Sequence, residues 1–527
     1  MQTRGLIQGV IRLWILSTVC LCMASCHIIW SEESLNPHCE EKVRQTVTLN
    51  LAISHPDAFI STKADLEYDD LTFSTNEAAV KSLTAFIVDL NPDGSENYDG
   101  IKYFSTDIDP IDFNNGIYIM SRTLEVETGS KHIYVGANLK QEHIEAFISN
   151  KPLSLEGEGP AVNMVMTPDP THSGLGTDIT MFGQILTKDG ETTISIEKNT
   201  KDYYLSGDLE RLTAKVLLTC KEGEPGLVVT GGKGWVETSE MRYTLNVTNK
   251  RTFIDRRKSD SYDVNIDPNW NLGSWVTTDN SAEGGFGPLN DHASQFESWS
   301  SGDLVYRLFN DRYSTSPLAY DENKIGAGNS PDHYTAGLYC LENTAYDNMS
   351  LTSSSKDNAA KVATTYAVIA VRFIPRVIVG WDLSNKYPTS KQDAVTNYLV
   401  YNSTSSEYEN GTYWMRMENG TPVYYGLAGK DKMIADGKAT ASEFICYRGG
   451  WSYYTTLIDG NVSGDKLTYA DIDAWGVQRD HYYILAIDKI SKPGSAIPGE
   501  EFIKINSITT NWVDRGSHEV EIRPTGR

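Results

Sequence analysis

Positive charge is scarce in this chain. Its 527 residues set 46 Lys and Arg against 70 Asp and Glu, a formal net charge of -24. A surface this acidic repels phosphate backbones, so no nucleic-acid partner is expected. Acidity of this kind also simply keeps an exported protein soluble. Histidine is sparse at 10, and His292, His333 and His481 show no metal-ligand spacing. Four of the seven cysteines (Cys20, Cys22, Cys26 and Cys39) crowd the N-terminus. Cys220, Cys340 and Cys446 remain. They are odd in number and far apart, which argues against a disulfide framework or a metal knuckle and leaves buried small hydrophobes as the default. After the N-terminus no stretch is long and apolar enough to span a bilayer. There is no G-x-S-x-G elbow, no H-E-x-x-H and no phosphate loop. The glycine pairs at Gly174, Gly285 and Gly326 lack the third glycine of a dinucleotide loop. Asp89 to Gly94 starts like a calcium loop, but its twelfth position is Gly100 instead of Glu, and a β-turn accounts for it better. No catalytic residues, metal or cofactor are expected. An exported glycoside hydrolase remains a rival reading, because its paired carboxylates need no motif.

What is present begins at the N-terminus. Arg4 and Arg12 precede an apolar run from Leu13 to Met23, the length of a signal peptide's core and shorter than a spanning helix. Met23-Ala24-Ser25-Cys26 resembles a lipobox, with Cys26 as lipid acceptor; an ordinary signal peptide with an incidental cysteine would look similar. Ser31-Glu32-Glu33-Ser34 follows, similar to a surface-export signal of Bacteroidales lipoproteins. Arg44 then sits in a polar linker that suits a trypsin-like protease, although a plain surface arginine has the same appearance.

Beyond Arg44 the periodicity is that of strands. Val47, Leu49, Leu51 and Ile53 alternate with Thr46, Thr48, Asn50 and Ala52, one face buried. Leu83 to Leu90 is a second strand, closed by the turn Asn91-Pro92-Asp93-Gly94. Short strands continue through Gly116 to Met120, Leu124 to Glu127, His132 to Ala137, Val162 to Met166, Ile179 to Phe182, Thr192 to Ile196, Leu209 to Thr219 and Met241 to Val247, with a helical turn or two at Gln141 to Phe147. Strands return at Ala363 to Ile374, Pro422 to Leu427, Phe444 to Tyr447, Tyr453 to Leu457, Tyr482 to Ile487, Ile503 to Trp512 and Glu519 to Ile522. Short strands separated by turn residues, with 29 Tyr and 11 Trp, predict an all-β sandwich architecture. The chain is too long for one core. The expected division is 1-25 signal peptide, 26-44 lipidated pro-segment, 45-252 N-terminal sandwich and 253-527 C-terminal sandwich. The second domain carries a loop-rich excursion over 253-338. Its aromatics (Trp270, Trp275, Trp299, Tyr313, Tyr320 and Tyr334) could stack on sugars or on host protein, or pack to hold the loop down. The first option gives an alternative function: a surface lipoprotein that captures glycans or host protein.

Several segments together resemble the fimbrillins, subunits of the type V fimbriae of Bacteroidales, most closely the short-fimbria major-subunit group. They are Ile133 to Asn138 (IYVGAN), Leu209 to Val216 (LERLTAKV), Tyr339 to Thr344 (YCLENT), Thr364-Thr365-Tyr366, Gly450 to Tyr454 (GWSYY) and Trp475 to Tyr483 (WGVQRDHYY), with Asp480 where the group usually has Asn. The resemblance implies two transthyretin-like Greek-key β-sandwich domains in tandem and a non-enzymatic structural subunit of an adhesive pilus. It implies a precursor held on the cell outer membrane by lipid (palmitate) on Cys26. A trypsin-like protease then cuts at Arg44. The subunit joins other fimbrial subunits in an extracellular fimbrium by donor-strand exchange. The donor would lie within Glu501 to Ile522, with Ile503, Ile505, Ile508, Trp512, Val520 and Ile522 as its apolar residues. His27-Ile28-Ile29-Trp30 is apolar but does not alternate, so the removed segment is the least strand-like part of this scheme.

Cys26→Ala should abolish incorporation of radiolabelled palmitate in cells of the Bacteroidales type, read on a gel. Labelling that persists would remove the lipobox reading.

Overall fold

A computed structural model describes residues 42-54, 80-107, 113-114, 117-154, 165-168, 176-221, 234-256, 296-297, 303, 308-309, 318-320, 338-343, 365-380, 411-458, 477-487, 490, 493-498 and 506-511. The described chain is all-β apart from two short α-helices and two single 3-10 turns.

The first sheet is built from β1 (Arg44–Ser54), β2 (Ser82–Leu90), β3 (Glu96–Asp107), β4 (Ile117–Glu127), β5 (Gly129–Ala137), β6 (Met181–Leu186) and β7 (Asp202–Asp208). Its order is β3-β2-β5-β6-β7-β1-β4. The alternation read in β1 is what the structure uses. Val47, Leu49, Leu51 and Ile53 are buried, and they join one core with Leu83, Ala85 and Ile87 of β2 and Ile133 and Val135 of β5. Strands from opposite ends of the sheet therefore face each other. β6 meets β7 through only two residue pairs, Ile185 with Gly207 and Leu186 with Ser206. Glycine is required there: a Cβ on Gly183 would stand 1.9 Å from the Asp208 carbonyl oxygen. The predicted turn after β2 closes with Gly94 at φ 84°, its N–H donating to the Asn91 carbonyl at 2.9 Å. Asp93 accepts bonds from the Ser95 N–H and hydroxyl, so these side chains are spent on the turn.

Helix α1 (Gln141–Ile148) covers the outer face of β2, β5 and β6. Ile144 and Phe147 pack on Phe86, Tyr134 and Phe182, with Phe86 and Phe147 ring centroids 4.7 Å apart. His143 takes the place of the acidic residue in a capping box. Its Nδ1 accepts a bond from the Lys140 N–H at 3.2 Å, which requires a neutral ring. Burial, and secondarily the Lys140 charge, hold its pKa down at about 4.

A second core draws on strands from residue 213 onward. It contains β8 (Thr213–Lys221), β9 (Gly234–Asn246), β10 (Leu338–Leu341), β11 (Tyr366–Pro375), β12 (Tyr413–Glu418), β13 (Thr421–Tyr425), β14 (Trp451–Leu457), β15 (His481–Ile487) and β16 (Asn506–Asn511). β8 pairs in parallel with β15, which carries β16 on its far side. β9, β11 and β14 form a facing sheet. Ala214, Val216 and Leu218 of β8 and Val236, Tyr243 and Leu245 of β9 lie in one cluster with Ile369, Phe373 and Leu485. Residues 213-246, placed with the first domain by their sequence position, thus share their apolar faces with the second. A hairpin, β12 with β13, leads into α2 (Leu427–Ala435), where Trp414, Tyr425 and Phe444 make a small satellite core.

Lowering the pH from about 6.5 towards 4 should cost stability through His143, because the unfolded chain binds a proton there and the folded chain does not. The loss by pH 4 is on the order of 3 kcal/mol. His143→Gln should flatten this slope in urea midpoints measured across the range; an unchanged slope would contradict the assignment.

Candidate functional site at the domain junction and chain ends

The motif residues, scattered from Asn138 to Asp480, fall largely into one buried polar network between the two cores. Arg479 is its centre. The guanidinium and Glu342 are both almost fully buried, with Nε and Oε1 3.4 Å apart. The Arg479 N–H donates to Glu342 Oε2 at 3.0 Å. The remaining guanidinium nitrogens donate to the carbonyls of Ile254 and Phe253 and to Thr252 Oγ1. A buried charge needs this degree of satisfaction to be tolerable.

Next to it, Asp480 adopts φ 59°, a left-handed conformation that Asp and Asn accept more readily than other residues with a Cβ. Its Oδ1 accepts bonds from the Arg211 N–H at 3.3 Å and from Nη1 at 3.4 Å, and its own N–H donates to the Thr213 carbonyl. This explains how Asp can stand where the resembling group has Asn: the backbone demand is met by either, and Arg211 is matched by a carboxylate.

Asn343 and Thr365 serve a second constraint. Val247, β-branched and buried, has φ 55°, a strained conformation for such a side chain. Its carbonyl accepts bonds from Asn343 Nδ2 at 3.2 Å and Thr365 Oγ1 at 2.7 Å. Asn249 Nδ2 donates to the Glu342 carbonyl at 2.7 Å, and Asn246 Nδ2 to the Tyr366 hydroxyl at 2.8 Å. Lys215 is buried opposite Tyr339 in the β8–β10 ladder, its Nζ 5.6 Å from the ring centroid, a cation–π contact. The Asn of IYVGAN, Asn138, ends β5 at φ 55° and bonds the Lys81 N–H and the Ile179 carbonyl. Cys340 sits inside this region, fully buried, its thiol pushed up to about 12 by burial.

Among the described carboxyls whose pKa is displaced (Asp93, Glu96, Asp436 and Glu443), every one is lowered. Glu96 is the extreme, at about 2. Burial opposes its charge, but bonds from His132, Tyr134 and Tyr98 outweigh burial. A glycosidase acid needs the opposite shift.

The chain ends carry the other expected sites. Arg44 opens β1, opposite Glu127 in β4. Its side chain is 70% exposed and bridges Glu127 Oε1 at 3.2 Å. Ile508 lies in β16, opposite Ile484 at the edge of the second sheet. Cys26, Ile503, Ile505, Trp512, Val520 and Ile522 lie outside the described residues, as do Trp270, Trp275, Trp299, Tyr313 and Tyr334 of the excursion. Within that excursion Phe309 packs on Trp451 with centroids 4.5 Å apart and Leu308 is buried; these two residues serve as packing. The network itself could not be read from composition. Its only sequence signal was that Arg211, Lys215, Glu342 and Arg479 fall within the segments that carry the resemblance.

No family profile and no curated protein matches the chain. Among solved structures it is similar to a fimbrilin from Porphyromonas gingivalis W83, at 14% identity, 89% of this chain and 99% of the other covered, with a TM-score of 0.39. It is similar to a proposed cell adhesion protein from Parabacteroides distasonis ATCC 8503 at 14% identity, 89% and 97% coverage and a TM-score of 0.39. A fimbrial assembly protein from the same organism aligns at 12% identity over 43% of this chain and 73% of its own, with a TM-score of 0.21.

Arg479→Met should cost about 3–5 kcal/mol, since the buried Glu342 carboxylate loses its guanidinium counter-charge. Adding Glu342→Leu should recover part of that loss. A urea double-mutant cycle reads the coupling; simply additive losses would contradict it.

Proposed function

We propose that this chain is a non-catalytic structural subunit of a cell-surface fimbria. In this reading it is lipidated at Cys26 on the outer membrane, cut after Arg44 by a trypsin-like protease and then joined to other subunits by donor-strand exchange in an extracellular fimbrium. The observation that carries the reading is the convergence of the fimbrillin-like segments. Residues from LERLTAKV, YCLENT, T-T-Y and WGVQRDHYY meet in one hydrogen-bonded network, as segments of one shared architecture would.

Two further features support it. Among the described residues β3, 12 residues long, pairs only with β2. An edge of that length offers main-chain donors and acceptors to an added strand. The last described strand, β16, also lies at a sheet edge, the place from which a C-terminal segment could be lent to a neighbour. Head-to-tail lending does not close on itself and builds a filament.

Trypsin treatment of the purified full-length precursor should cut after Arg44 and produce laddered polymers on non-boiled gels. Removing residues 501-527 should leave a folded protein that no longer extends a polymer. A cut precursor that stays monomeric would sink the assembly reading, and unchanged ladders after the deletion would sink the donor assignment.

A further inference from the structure

The residues around the proposed processing point are held one after another, each by a different element. Lys42 Nζ lies 3.9 Å from Asp89 Oδ2 at the end of β2. The Val43 N–H donates to Thr128 Oγ1 at 3.0 Å, and the Val43 carbonyl accepts from the Thr128 N–H at 2.9 Å. Arg44 is in register with Glu127 and bonded to its carboxylate. Gln45 is gripped from the opposite side by the turn before β7. Its Nε2 donates to the Glu197 carbonyl at 2.6 Å, and its Oε1 accepts from the Asn199 N–H at 3.0 Å. A protease binds an extended substrate through the substrate's own backbone groups, and here those of Val43 are already engaged while the side chains of Arg44 and Gln45 are held on either side. An exposed arginine side chain thus sits on a main chain that is not available for cutting.

We infer that residues 42-45 form a clasp, closed by Asp89, Thr128, Glu127 and the 197-199 turn, which controls cleavage at Arg44 by requiring the end of β1 to fray first. The inference rests on Arg44 being the processing site. Cutting adds one water across the Arg44–Gln45 peptide, leaving a carboxylate on Arg44 and an ammonium on Gln45. When opening and closing are fast, the rate follows the population of the frayed state. Fraying need not unfold the domain, because Thr48 to Ile53 stay in both ladders of β1.

Thr128→Val removes the bond from the Val43 N–H and keeps a β-branched side chain. It should raise the rate of cleavage after Arg44 about fivefold, the effect of one lost hydrogen bond, with the thermal unfolding midpoint unchanged. Glu127→Gln, which removes the charge that holds the arginine, should raise it by less. The readout is the initial rate of appearance of the Gln45 N-terminus by mass spectrometry, using the full-length chain and dilute trypsin. Equal rates in wild type and both variants would overturn the clasp while leaving the processing reading intact. If Thr128→Val lowers the midpoint, Glu127→Gln alone decides, by the same criterion. Failure to cut after Arg44 in every variant, even in mild urea that frays β1, would overturn the processing reading and the clasp with it.

Discussion

A charge taken out of water must be paired, and in this molecule that rule fixes how the two cores meet. Arg479 cannot sit where it does without Glu342, the carbonyls of Phe253 and Ile254 and Thr252 all being in place. With Arg479 itself, those groups come from three separate parts of the sequence. Arg211 and Asp480 add a fourth connection from the start of β8. Removing one partner of such a pair is costly, whereas replacing the whole set by apolar groups can be neutral. The value of the network therefore lies less in raw stability than in specifying one arrangement of segments. It sits beside an apolar seam in which Leu212, Ile254 and Leu341 join the α1 side of the first sheet.

From that junction the positions of the two chain ends follow. β8 is fixed at its start by Arg211 and Asp480, and β15 pairs with it in parallel. β16 then lies on the outer side of β15, through six residue pairs. At the other end, β1 is central in the first sheet, between β4 and β7. Its first paired residue is Arg44, while its parallel ladder with β7 starts only at Thr48.

Much of this was legible in the sequence, and the failures have physical causes. β1 showed itself because aliphatic residues alternate along its first half, and β2 and β5 because they are near-continuous apolar runs buried on both faces. The turn at Asn91 to Gly94 was legible from its residue types alone. β3 was missed: it is an edge strand with largely exposed residues, interrupted by Asp99 and Gly100, so nothing forces an apolar period upon it. β7 was missed for a similar reason, since only alternate residues such as Leu205 and Gly207 turn inward. Helix α2 was hidden by Gly429, which lies against the Val379 carbonyl where a Cβ would come within 2.2 Å. The junction network was visible only as motif residues, each of which could have been solvated or buried when read alone.

The central placement of β1 bears on what a cut after Arg44 would do to the fold. A break before Gln45 removes one of the eleven residue pairs with β4 and none of the seven with β7. The four aliphatic residues that bury β1 all lie beyond the cut. Their burial, at roughly 1.5–3 kcal/mol for each side chain, far exceeds what the exposed Arg44–Glu127 bridge contributes. The end of β1 thus makes polar, partly exposed contacts that are separable from the core. Evolution of a processing point there needs no change in the sandwich, only a weaker or stronger grip by residues such as Thr128 and Glu127. Moving the same arginine to position 49 or 51 would place it on the buried face of β1, where it could be neither solvated nor reached.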